Sequence, residues 1–188
     1  AGITGVYYLI FAVIGNGLNN GLQALIARRG GQNLPEEIGR LFFHGVWIAL
    51  GISSMGIIIT YTVSPIILRN VIHDPLIAEQ VIQFLHIRIW GLPLLALYVT
   101  CNALLVGTNQ TRFLVWGTLS ETLFNIFFDY SLIYGKFGLP QIGFNGAAYA
   151  SIIAEGAGFL VMFAVISGKG MTRTFGIFDR LKFDFAIS

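Results

Sequence analysis

Apolar residues in this chain come in long blocks, not in strand-like alternation and not in narrow stripes. Residues 3–27 carry no charge, residues 41–68 hold only His44, and residues 89–111 are again uncharged. Residues 113–135 hold Glu121 and Asp129, and residues 137–168 hold Glu155 alone. A helix that crosses the hydrocarbon core needs about 20 predominantly apolar residues, and every block is at least that long. Helices on the outside of a soluble bundle keep a polar face toward water. These blocks have too few polar residues for one. The pattern predicts an all-α membrane protein, with a bundle of about five transmembrane helices over residues 1–168.

The breaks between blocks set the helix ends. A first helix over residues 2–28 stops at Arg28, Arg29, Gly30 and Gly31, basic residues and glycines suited to a C-terminus. Pro35, Glu36 and Glu37 open a second, since proline and acids favour a first turn. It is expected to run to about Leu68, with Pro65 near its end. A third covers residues 76–106 with a kink at Pro93. A polar turn over residues 107–112 leads to a fourth helix over 113–134, and a Gly- and Pro-bearing loop leads to a fifth over 145–167. Residues 169–188 are too charged for a sixth span and form a separate segment at the membrane surface. There Phe175, Phe178, Leu181 and Phe185 recur at roughly helical spacing, as in an interfacial helix or as aromatics scattered along a linker. The first block is not expected to be a signal peptide. It lacks a basic leading region, and Asn16, Asn19, Asn20 and Gln23 interrupt it. Gly17 with Gly21, and Ala147, Ser151, Ala154 and Gly158, are small-residue stripes that let helix backbones approach in lipid.

Composition agrees with this reading. The 188 residues are 55% hydrophobic and 11% charged, against roughly 25% charged in a soluble domain. The net charge of +2 says little, but the placement of the charges says more. Eight basic residues (Arg28, Arg29, Arg40, Arg112, Lys169, Arg173, Arg180 and Lys182) fall on one side of the predicted bundle. Arg69, Arg88 and Lys136 fall on the other. Cytoplasmic loops are the richer in Lys and Arg, so the first side is expected to be cytoplasmic. The amino end then starts outside, which is read as a missing preceding helix and a chain that is a fragment. Cys101 is the single cysteine, expected as a small packing residue.

Acids within spans are costly and usually face a cavity or a partner. Glu121, Asn125 and Asp129 follow at i, i+4 and i+8 and form one polar stripe on the fourth helix. A carboxylate with an amide one turn away offers oxygen ligands to a hard cation. The same carboxylate could instead carry a proton, or simply be hydrated near the outer end of its helix. Glu155 lies near the middle of the fifth helix, one turn after Ser151. With no basic residue assigned to any span, it must be protonated, face water or bind a cation. Asn16, Asn19, Asn20 and Gln23 on the first helix, and Asn102 on the third, either line a cavity or hydrogen-bond between helices. His44, His73 and His86 are dispersed and make no metal-ligand set. No phosphate-binding loop and no nucleophile–base pair is visible, so neither an enzyme, a nucleic-acid binder nor a cofactor site is expected.

Three stretches resemble the multidrug and toxic compound extrusion (MATE) family. The first is Asn125-x-x-x-Asp129-Tyr130-x-Leu132-Ile133-Tyr134-Gly135, continuing through Gly138-Leu139-Pro140-x-Ile142-Gly143 to Gly146-Ala147-Ala148-x-Ala150-Ser151. The second is Gln23-Ala24 followed by Arg28, Arg29 and Gly30, and the third is Pro93 followed by Gly107-Thr108-Asn109-Gln110-Thr111-Arg112. The resemblance implies a twelve-helix transporter with two lobes. This chain would supply helices two to six of the first lobe and the start of the linker toward a missing second lobe. It further implies an antiporter in the inner cell membrane that exports drugs or organic cations in exchange for sodium ions or protons. Asn125 and Asp129 match the family's cation-site pair, and Ser151 stands near where a Thr often serves. Two other readings are a flippase of the wider superfamily, moving lipid-linked oligosaccharides, and a non-transporting membrane scaffold. Flippases usually present basic residues to phosphates inside the cavity. The absence of a basic residue from the predicted spans favours organic cations, and two acids on one stripe argue against a scaffold.

Overall fold

The computed structural model of the chain describes residues 2–177. Among the described residues every regular element is helical, with no strand. Helix α1 covers Gly2–Gly31, α2 covers Pro35–Thr62, and a short α3, Ser64–Val71, follows after Val63. Helices α4, Pro75–Arg88, and α5, Leu92–Gly107, are joined by a 3-10 turn over Ile89–Gly91. A second 3-10 turn, Thr111–Phe113, leads into α6, Leu114–Tyr134, and then come α7, Phe144–Gly168, and a four-residue α8, Met171–Thr174.

Four stretches are long and apolar enough to cross a membrane: Gly5–Gly31, Pro35–Thr62, Pro75–Gly107 and Phe144–Gly168. The remaining predicted span is α6. Its 21 residues give it the length, but Glu121, Asn125 and Asp129 lower its hydropathy. It makes its largest contact with α7.

The two prolines act earlier than expected. The second helix does not continue to Leu68 but breaks at Val63, with Pro65 in the first turn of α3. The proline ring cannot sit against the carbonyl four residues back, and it offers no N–H to continue the ladder. Pro93 likewise lies in the first turn of α5. Having no N–H for the carbonyl of Ile89, it leaves that oxygen to the N–H of Leu92 instead. The expected kink therefore appears as the 3-10 turn just before the proline.

Polar side chains inside the bundle are mostly satisfied within their own helix. The buried hydroxyls of Ser53, Thr60, Ser64, Thr100 and Ser131 each donate to the carbonyl four residues earlier, at 2.6–2.8 Å. The main apolar core joins Leu22 and Ile26 of α1, Phe42 of α2, Leu104 and Leu105 of α5, and Met162 and Ile166 of α7. Cys101 is buried in this core, as a packing residue should be. Of the tail, Ile177 is buried in the same core and Phe175 packs against it. Phe178, Leu181 and Phe185 lie outside the described residues. The glycines Gly17 and Gly21 differ from expectation: a Cβ on either would meet nothing within 4 Å, so they do not form a close helix contact here.

The turn after α1, the turn after α5 and Phe175 meet at one end of the bundle, where Asn33, Leu34, Thr108 and Asn109 share a depression. Arg112 and Lys169 both stack over the Phe113 ring at this end, 4.8 Å from its centroid. The structure thus gathers these basic residues where charge counting grouped them. Single cysteines at Gln32 and Gln141, in a Cys101→Ala background, are expected to react with an impermeant thiol reagent from opposite sides, Gln32 from the cytoplasm. Labelling of both from one side would contradict this topology.

Candidate functional site

Two cavities open between the helices, and most of the polar residues singled out above border one of them. The first, about 250 Å³, lies among α1, α2 and α5. Asn16, Asn19, Ser53 and Asn102 provide its polar lining, and Phe11, Leu92, Leu95 and Tyr98 much of its apolar wall. Asn19 Oδ1 is buried with no hydrogen-bond partner among the described residues. Asn20 and Gln23 do not line this cavity. Asn20 is exposed.

The second cavity, about 360 Å³, is bordered by Arg88, Thr118, Glu121, Thr122, Asn125, Ser151, Ala154 and Glu155. Glu121 and Asn125 share a face of α6 because four residues advance a helix by little more than one full turn. Ser151 and Glu155 do the same on α7. The two faces meet, and Asn125 Nδ2 donates to Ser151 Oγ at 3.4 Å. That bond uses the amide N–H and leaves the carbonyl oxygen to accept or coordinate. Tyr98 stands between the cavities. It lines the first, and its hydroxyl is 3.3 Å from that of Thr118 in the second.

Close packing of α6 against α7 makes this meeting feasible. A Cβ on Gly146 would lie 2.9 Å from the carbonyl carbon of Leu132 and 3.1 Å from the nitrogen of Ile133, so the backbones touch there. Farther along, Gly158 faces the Cβ of Glu121. The predicted small-residue stripe on the fifth span is thus realised, with Ala154 and Gly158 buried along it.

The expectation that Glu155 has no basic partner is wrong. Arg88 forks onto it, with Nη1 donating to Oε2 at 3.0 Å and Nη2 to Oε1. The side chains are 13% and 5% exposed. The hydroxyl of Tyr8 on α1 donates to the same Oε1 at 3.1 Å, and the Arg88 guanidinium lies over the Tyr8 ring, 3.9 Å from its centroid. Gly91 makes room for the pair, since a Cβ there would collide with both Glu155 Oε2 and Arg88 Nη1. Charge counting had assigned Arg88 to the outer side. In the structure it ends α4 inside the long Pro75–Gly107 stretch, about 20 Å from the start at 1.5 Å per residue. Counting residues from Pro75 would have found it. The premise that no basic residue lies in a span falls with it. Tyr8, by contrast, carries no sequence signal that marks it as a partner.

Asp129 does not border either cavity. It lies one helical turn beyond Asn125, toward the loop end of α6, and is half-buried. Its Oδ1 is buried without a hydrogen-bond partner among the described residues. A buried carboxylate oxygen without a donor is costly, and a bound cation or a proton would relieve that cost.

Comparisons with known proteins agree on one family. The MatE family model matches residues 2–131. The "Probable multidrug resistance protein NorM" of Synechocystis sp. is 30% identical over 185 residues, 96% of this chain and 39% of that protein. The "Multidrug resistance protein MdtK" of Proteus mirabilis is 32% identical over 151 residues, 80% of this chain and 33% of that protein. The chain therefore spans well under half the length of these relatives. Among solved structures, an inward-facing multidrug resistance MATE family transporter superposes with a TM-score of 0.70 at 22% identity, over 83% of this chain and 34% of that one. With a family model covering more than half of its length and a matching helical fold, this chain belongs to the MATE family of integral membrane transporters.

Proposed function

We propose that the chain forms part of the first lobe of a secondary active antiporter, not an enzyme, that exports drugs or organic cations across the inner cell membrane. Exchange is for sodium ions or protons, and the coupling ion is held by Asp129 with Asn125 and Ser151. The observation that carries this reading is the buried, unpartnered Oδ1 of Asp129, one turn from an amide already held by Ser151. Carboxylate, amide and hydroxyl oxygens are ligands for a hard cation, and an acid at such a position in a span marks an ion path more often than a packing site. Two relatives extend well beyond the matched region, which supports a second lobe in the intact protein. Arg88 does not favour a phosphate-bearing substrate, because both of its donor arms are engaged by Glu155.

The test uses the intact two-lobe protein. Asp129→Asn keeps shape and hydrogen bonding but removes the charge, and is expected to abolish efflux while the protein still reaches the membrane. Asn125→Ala removes one ligand and should weaken the ion dependence less. Near-normal efflux by Asp129→Asn at normal expression, with sodium and pH dependence unchanged, overturns the assignment.

A further inference from the structure

Among the described residues the ion pairs are Arg29–Glu37, Arg69–Glu79 and Arg88–Glu155. None takes Glu121, although Glu121 borders the same cavity as Arg88 and Glu155. The guanidinium neutralises one of the two carboxylates, so with Glu121 ionised the cavity keeps one net negative charge. At about 360 Å³ the space is far larger than the roughly 30 Å³ share of one water. It falls in the range of small-molecule pockets, and Thr118, Thr122 and Asn125 add neutral polar groups to its wall.

We infer that Arg88 is a specificity-determining residue: by neutralising Glu155 it leaves Glu121 as the single uncompensated charge of this cavity, which therefore accepts the head group of an organic monocation in preference to a dication. This rests on the proposed export of organic cations and goes beyond it by assigning substrate charge to a cavity separate from Asp129. The geometry gives the assignment its sense. Arg88 is clamped on both nitrogens and stacked on Tyr8, so it is a fixed charge and does not swing over to Glu121. Coulomb attraction falls only as the inverse of distance, so a second free carboxylate in the same cavity would help a second positive charge.

The test measures binding to the purified intact protein, with ethidium as the monocation and methyl viologen as the dication. No ion gradient is applied. Arg88→Ala is expected to shift the ratio of the two Kd values toward the dication by about tenfold. Arg88→Lys, which keeps the charge, is expected to hold the wild-type ratio. An unchanged ratio in Arg88→Ala, or equal weakening of both ligands, overturns the inference, since a merely structural role for Arg88 would weaken both alike. If Arg88→Ala does not accumulate, the double variant Arg88→Ala/Glu155→Gln carries the test, because it returns the cavity to one negative charge. Adding Glu121→Gln to the double variant is then expected to raise the ethidium Kd about tenfold, and an unchanged Kd overturns the inference. Because no gradient is used, loss of coupling through Asp129 leaves this ratio readable. The two proposals can therefore fail separately.

Discussion

Replacing Glu155 with Leu is expected to destabilise the protein by about 3–5 kcal/mol, among the largest effects of any single substitution in the bundle. The Arg88 side chain is only 13% exposed, and Glu155 accepts both of its forked hydrogen bonds. Leucine fills similar volume but leaves a buried guanidinium without a counter-ion and the Tyr8 hydroxyl without its acceptor. The pair also ties elements together: Arg88 ends α4, Glu155 lies on α7 and Tyr8 on α1. Arg88→Met combined with Glu155→Leu is expected to regain most of the loss, because an apolar pair of similar size carries no uncompensated charge. Unfolding midpoints of the purified intact protein in detergent, by heat or by titration with a denaturing detergent, provide the measurement. A wild-type midpoint for Glu155→Leu would show that the pair is solvated, and the double variant would then have nothing to restore.

The second large effect is expected at Gly146. Valine there should cost about 3 kcal/mol, seen as a lower unfolding midpoint in the same assay. A Cβ at Gly146 meets the carbonyl carbon and oxygen of Leu132 at 2.9 and 3.0 Å. These are backbone atoms of the facing helix and cannot rotate away, so α6 and α7 must separate. Separation would also pull Asn125 from Ser151, a bond already 3.4 Å long. Gly117→Ala is the informative comparison. Its Cβ would meet Cγ and Sδ of Met162 at 2.7 Å, but methionine is unbranched and can change rotamer. A smaller drop is expected there. Equal drops at the two positions would mean that backbone contact is not what holds α6 against α7.

Much of the candidate site was legible in the residues themselves. Glu121 and Asn125 on one helix and Ser151 and Glu155 on the next do face one cavity. Helical periodicity places side chains four apart on one side, and the short loop between the helices forces them to lie antiparallel. Asn16, Asn19 and Asn102 also border a cavity, but their meeting across α1 and α5 is set by the packing of helices far apart in the chain. Asp129 was grouped with Asn125 by spacing, but the structure sets it outside the cavity that Asn125 borders. A four-residue step fixes which side of the helix a residue occupies and not how deep a neighbouring gap runs.

The sequence by itself determined that this is a membrane bundle, where most of its spans lie along the chain, and which end is basic, although not the break at Val63 or the 3-10 turn before Pro93. Those properties follow from lengths, prolines and charges that act over a few residues, because crossing the bilayer imposes its cost on each helix separately. Only the tertiary structure decided which charges meet. Arg88 and Glu155 are 67 positions apart, and Tyr8 and Glu155 are 147 apart. Counting Lys and Arg treats every basic residue as a marker of a helix end, so Arg88 was assigned to the surface. Burying a charge is acceptable when a counter-ion is already in place, and here that counter-ion is supplied by a distant helix whose small residues let it pack closely.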